Sequence, residues 1–380
     1  MKKKETLVCY LLNFLSFAGI SIVNTQIVPF LKNAGFSVVD RGFLLSGSAF
    51  VAVLGQILAG YICDHIQKLR PVYVISYVLL TLGSILLFLF PEKSFFLYLL
   101  AVGLSGGMVR VIMGLNETWM LQIDQNNYGR LRASGALGLA AFSTIAGFLI
   151  KPFGYQALLF VYLCIALGVF FLVYRIKDIN KQNKKVNGKD IKELIMNKKY
   201  MLLVCIFLLI YMIGTADQYV VVDKMLQIGG NNTQVGWKWA VQSFMEVPLF
   251  LMAEKILKKW KPEILLKAGI VFYAIKFFLY AFVQKPMYLI FVSSLQLVTL
   301  PLIMLSSKFL FQSVTKKELF NTAQMFAMAI FVGGSMFFTP IITSYLSKIL
   351  GYNMLLYGIA MFTIIPFILS ILYTRMQNKC

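Results

Sequence analysis

Residues 110–135 read RVIMGLNETWMLQIDQNNYGRLRASG. An apolar run carries Arg110 and, seven residues on, Glu117. A short polar turn follows, and Arg130 and Arg132 lead straight into a second apolar run. In hydrocarbon each such charge costs roughly 2.5–3.5 kcal/mol on insertion scales. A chain tolerates that only where the charge faces a protein interior or a water-filled cavity and finds a partner, so these residues mark a candidate functional site in mid-membrane.

The rest of the chain fits a membrane setting. Its 380 residues are 59% hydrophobic and 13% charged, against about a quarter charged for a soluble domain. About twelve apolar runs have spanning length, at 7–29, 43–63, 72–90, 95–119, 132–150, 155–174, 201–223, 237–254, 265–283, 286–311, 321–345 and 352–374. In lipid every backbone amide must be satisfied internally, so each run is read as a helix. The first run is too long for the apolar core of a signal peptide and is expected to stay. The expected fold is an all-α membrane protein of twelve transmembrane helices in two pseudo-symmetric six-helix bundles. Residues 1–174 form the first bundle, 175–200 a cytoplasmic linker and 201–380 the second bundle.

The net charge of +21 sits mostly in short loops on the side of the amino terminus. The positive-inside rule then puts both termini in the cytoplasm. There is no basic arm, zinc spacing or aromatic-basic ribbon, which excludes nucleic acid as a partner. Five scattered cysteines and a single histidine assemble neither a disulfide framework nor a histidine metal site. No HExxH, Walker A or GxSxG pattern occurs, so no enzyme, ATP-driven pump, metal or cofactor is expected.

The halves look related. GYQALLFVY at 154–162 resembles GYNMLLYGI at 351–359, and each opens the last apolar run of its half. An internal six-span repeat is a mark of transporter architectures with a site between two bundles.

GQILAGYICDHIQKLRPVY follows the second run, with Gly60, Asp64 and Arg70 at the spacing G-x-x-x-D-x-x-x-x-x-R. This resembles the loop signature of the major facilitator superfamily, in which such residues help gate the bundles. Within that superfamily the chain resembles the branch of lactose, nucleoside and phenylpropionate permeases over nearly its whole length. NYGRLRASGALG (127–138) resembles the start of helix 5 of that branch, where an arginine at the position of Arg132 pairs with an acid on helix 4, here Glu117. SFMEVPLF (243–250) is similar to helix 8, with Glu246 at the functional carboxylate. FYAIKFFLYAF (272–282) is similar to helix 9, with Lys276 at a position that often holds arginine. SLQLVTLPLIMLSSKF (294–309) is similar to helix 10, with Pro301 matching its proline. Gln296 and Thr299 replace that branch's titratable helix 10 pair, and Leu139 replaces its sugar-stacking tryptophan.

Arg110 and Glu117 lie nearly two turns apart on one helix face, on the order of 10 Å along the axis. Arg110-x-x-x-Gly114 also resembles the helix 4 arginine motif of proton-driven transporters. Arg110, Glu117, Arg132, Glu246, Lys276 and Gln296 are the candidate substrate-binding residues, and Asp217 and Glu246 the candidate proton carriers. Asp217 is read as free to titrate, with Lys276 the available cationic partner for either carboxylate. A static ion pair is the structural alternative. Asn13, Asn24, Gln26, Trp119, Tyr219 and Trp237 are candidate cavity walls. Lys238, between Trp237 and Trp239, reads as part of an interfacial aromatic belt.

The resemblance implies secondary transport by alternating access. The expected activity is proton-coupled symport of a sugar, glycoside or nucleoside, with small solute, protons and the lipid bilayer as partners. The expected setting is a monomer in a bacterial inner membrane. A proton-driven efflux antiporter for amphipathic compounds and a non-transporting, transporter-like receptor are the alternatives.

Overall fold

The computed structural model describes residues 3–89, 94–123, 128–176, 178, 188–316 and 320–378. Among the described residues the chain is helical throughout, without strands. The first half comprises α1 (Lys3–Asn24), α2 (Ile27–Asn33), α3 (Val38–Ile66), α4 (Arg70–Leu89), α5 (Phe95–Ile123), α6 (Tyr128–Phe153) and α7 (Gln156–Arg175). A short α8 (Gly188–Met196) leads into α9 (Lys198–Gln227), α10 (Asn232–Leu251), α11 (Ala253–Lys259) and α12 (Pro262–Phe282). Then come α13 (Pro286–Ser293), a 3₁₀ turn (Ser294–Val298), α14 (Leu300–Val314), α15 (Phe320–Met328), a π-helical turn (Ala329–Gly333), α16 (Gly334–Phe362) and α17 (Ile364–Asn378). Within the 175–200 stretch, 177 and 179–187 lie outside the described residues.

Ten segments among the described residues are long and apolar enough to cross a membrane. One of them, Phe326–Gln377, is 52 residues long. The α10 helix is not among the ten. It is 20 residues long, and Lys238, Gln242 and Glu246 lower its hydropathy.

Local chemistry sets the helix starts. Ser37 caps α3, accepting from the Asp40 amide while Asp40 accepts back from the Ser37 amide. Asn231 and Gln234 make the same reciprocal box at α10. In each case two amides that the first turn leaves without helical partners are satisfied. Proline opens α12 and α13, where its missing N–H is not needed.

The two sequence repeats share a backbone device. Gly154, just before α7, has φ of 72°, and Gly351, inside α16, has φ of 74°. At both places the chain turns through a left-handed conformation open chiefly to glycine. In α16 this interrupts the helix at Gly351.

Helices of the first half pack mainly on one another, α1 on α6 and α7, and α3 on α5. In the second half α16 packs on α9 and α12. Two long seams join the halves, α6 against α10 and α3 against α16. Both seams are narrow. A Cβ on Gly236 would lie 2.4 Å from the Ser143 carbonyl oxygen, and one on Gly42 would lie 2.7 Å from that of Pro340.

Candidate functional site

A polar knot lies inside the second half. Asp217 of α9 is 4% exposed, and Lys238 of α10 and Lys276 of α12 are fully buried. Lys276 Nζ donates to Asp217 Oδ2 at 2.5 Å and to Gln296 Oε1 at 2.6 Å. Lys238 Nζ lies 3.4 Å from Asp217 Oδ1 and donates to the Asp217 carbonyl at 2.9 Å. Gln242 Nε2 donates to Asp217 Oδ2 at 2.8 Å, and Gln296 Nε2 donates to Glu246 Oε1 at 2.9 Å.

Helix geometry explains how these groups meet. Lys238, Gln242 and Glu246 recur every four residues, so α10 presents them as one stripe. Gln296 reaches the stripe because the 286–314 segment is broken at its 3₁₀ turn. Thr299, with φ −104° and ψ −97°, leaves the helix, and Pro301 has no amide to donate back into it.

Two expectations are corrected here. Lys238 is not an interfacial belt residue. The α10 helix starts at Asn232, so Lys238 lies nearly two turns inside, fully buried, with its ammonium 4.2 Å from the Trp239 ring. Nor does Asp217 stand free, since two ammonium groups and an amide hold it. Burying two lysines in apolar surroundings is tolerated because each finds a carboxylate.

The first half sends Arg110, Glu117 and Arg132 to the same region. Tyr211 of α9 lies within electrostatic range of all three and of Glu246. Glu246 in turn lies within range of Arg132, Lys276 and Asp217. Arg110 sits near Tyr211 and Tyr219, and Gln56 donates to its carbonyl at 3.2 Å. The Arg132 guanidinium carbon lies 5.6 Å from the centre of the Phe17 ring. Asp217, Lys276, Gln296 and Glu246 are thus joined directly, and Arg110, Glu117 and Arg132 lie within electrostatic reach of Tyr211.

Other candidates take different places. Asn13 donates to the Leu131 carbonyl and ties α1 to α6, whereas Asn24 donates to the Ile20 carbonyl one turn back in its own helix. Gln26 donates to the Asn232 carbonyl across the halves. Trp119 is buried edge-on against Tyr73, and Trp237 is 45% exposed. A Cβ on Gly60 would meet nothing within 4 Å. The side chain of Asp64 lies outside the described residues. The Arg70 guanidinium donates to the Ile176 carbonyl, and the Leu69 and Arg70 amides donate to Asp178 Oδ1. That carboxylate caps the start of α4.

Hydrogen bonds between the halves, among the described residues, run from mid-helix to the end opposite the amino terminus. Ser243 donates to the Ala136 carbonyl, Thr233 to that of Gly147 and Ser46 to that of Phe337. Near that end too, Arg41 Nη1 lies 2.7 Å from Asp223 Oδ1, both side chains largely buried. This pair and Tyr219, Ser344 and Tyr352 line a small crevice between α3, α9 and α16. Sequence reading did not find this ion pair, nor Gln242 or Tyr211, because residues 182 apart carry no local signal of contact.

The model of the MFS_1 like family matches residues 8–347. A protein of Escherichia coli (strain K12) described as putative nucleoside transporter YegT is 26% identical over 293 residues, spanning 71% of this chain and 67% of its own. The crystal structure of nucleoside transporter NupG superposes with a TM-score of 0.80 at 14% identity, covering 99% of both chains. A structure of a POT family transporter in complex with 5-aminolevulinic acid superposes with a TM-score of 0.75 at 9% identity, covering 98% of this chain and 96% of the other.

Proposed function

The chain belongs to the MFS_1 like family, and from that premise we propose that it carries a small polar organic solute by alternating access, coupled to protons in symport. Among sugars, glycosides and nucleosides, the relatives described as nucleoside transporters favour a nucleoside. One observation carries the reading. Charged side chains from both halves, costly in lipid, gather at the joint between them.

The family's architecture completes the topology. The 52-residue segment is two spans divided at Gly351, and the polar α10 is a further one. That makes twelve, with both termini cytoplasmic in a bacterial inner membrane and the chain acting as a monomer. The bundles are residues 1–174 and 201–380, with 175–200 linking them. Gly60, Asp64 and Arg70 gate the cytoplasmic side.

The network divides the labour of its carboxylates. Asp217 is held by Lys238, Lys276 and Gln242 and organises the second bundle. Glu246 has the neutral Gln296 as its direct partner and is the proton site. Arg110, Glu117, Arg132, Lys276 and Gln296 bind the solute around it. In reconstituted liposomes an inward proton gradient should drive accumulation of labelled uridine or adenosine. Glu246→Gln should abolish accumulation and spare exchange of solute for solute. Accumulation that ignores the gradient, or survives in Glu246→Gln, would overturn the coupling.

A further inference from the structure

We infer that Tyr211 is the aromatic platform against which the solute's planar ring stacks, which makes the solute a nucleoside or a similarly flat, hydroxylated aromatic. This rests on the transporter reading above and adds the group that selects for a ring.

Three observations lead there. First, Tyr211 is half-buried in the region where Arg110, Glu117, Arg132 and Glu246 converge from both halves. Second, it is backed by a rigid ladder of rings. Its ring centre lies 4.6 Å from that of Phe331, which lies 5.7 Å from Phe207 and 6.2 Å from Phe311. Those three phenylalanines are at most 2% exposed, so the ladder ends at Tyr211. Third, Phe331 belongs to the π-helical turn Ala329–Gly333. Such turns displace side chains from the regular helical register and recur at functional sites, and here the turn carries Phe331, whose ring is tilted 43° to that of Tyr211.

The chemistry is consistent. A nucleobase has two π faces and stacks on an aromatic side chain without regard to sequence of hydrogen bonds. Its ribose hydroxyls suit the carboxylates and guanidinium groups around the tyrosine, which accept and donate respectively. A ring held by buried neighbours loses little freedom on binding, so most of the stacking energy appears as affinity.

The test is binding to the purified full-length protein, by calorimetry and thermal shift, with adenosine, uridine and ribose as probes. Tyr211→Phe should keep adenosine affinity within about threefold, whereas Tyr211→Leu should weaken it about ten- to a hundredfold. Ribose affinity should be equal in all three proteins. A Tyr211→Trp protein supplies a check that does not depend on the leucine variant folding. Its added fluorescence should be quenched by adenosine and not by ribose. If wild type binds adenosine and Tyr211→Leu binds it equally well, or the tryptophan reporter ignores it, the platform is wrong and the transporter reading stands. If wild type binds no nucleoside, the nucleoside reading itself falls, and the platform with it.

Discussion

At the scale of single residues, the arrangement around Asp217 has an uneven count, with two ammonium groups on one carboxylate. Removing one partner of a buried pair leaves an uncompensated charge and costs about 3–5 kcal/mol. Asp217→Asn strands both lysines and should therefore lower the thermal unfolding temperature in detergent markedly. Adding Lys276→Met to Asp217→Asn should recover a substantial part of the loss, because it removes one of the stranded charges. A single variant as stable as wild type would mean that Asp217 does not balance the two lysines.

The same residues mark the limit of what the sequence made legible. Asp217, Glu246 and Lys276 were found because a charge inside an apolar run stands out. Lys238 was missed because two flanking tryptophans imitate a membrane interface. The signal that could have corrected this was local. Asn231 and Gln234, three apart, form a capping box and fix the helix start well ahead of Lys238. Tyr211 carried no signal at all, since one aromatic among the chain's 19 tyrosines and 33 phenylalanines becomes special only through what surrounds it.

At the scale of helices, the apolar runs located the elements, because membrane spans depend on composition more than on partners. The break between α13 and α14 was hidden, since an unbroken apolar run at 286–311 gives no hint of a turn. Only Pro301 pointed to it, and a proline does not say which side chain the break redirects. The α6–α10 seam was equally hidden, because glycines that permit contact look the same as glycines that do not. The structure separates them. A Cβ on Gly236 would press on the Ser143 carbonyl, whereas one on Gly358 would meet nothing within 4 Å. Gly236→Ala should therefore destabilise by about 1–3 kcal/mol through overpacking. Gly358→Ala should stabilise by about 0.5–1 kcal/mol, because alanine loses less backbone entropy in a helix. Thermal unfolding of the two variants should shift in opposite directions.

At the scale of the whole molecule, the repeat is read from GYQALLFVY and GYNMLLYGI, and Gly154 and Gly351 within those stretches both have positive φ. The side on which the halves are joined was not legible, because under the alternating mechanism proposed above one sequence serves several states that differ by a few kcal/mol. Among the described residues the halves are bonded from the middle outwards towards Arg41 and Asp223, while a Cβ on Gly60 at the other end of α3 would meet nothing within 4 Å.

Among the described residues the Arg41–Asp223 pair is the ion pair on that side, beside hydrogen bonds such as Gln26 to Asn232. Val220 lies beside it, 4% exposed, in the crevice lined by both partners. A cysteine at Val220, in a chain otherwise free of cysteine, reports whether that side opens. With the pair intact, a membrane-impermeant thiol reagent applied from the side opposite the termini should label it slowly. Asp223→Asn leaves a buried guanidinium without its carboxylate, which penalises the closed state by a few kcal/mol and should speed labelling tenfold or more. Exchanging the two charges, with Arg41→Asp and Asp223→Arg together, should restore slow labelling, since the attraction across the seam returns with its direction reversed. Fast labelling in the exchanged protein would show that packing along α3 and α16, and not the ion pair, holds that side shut.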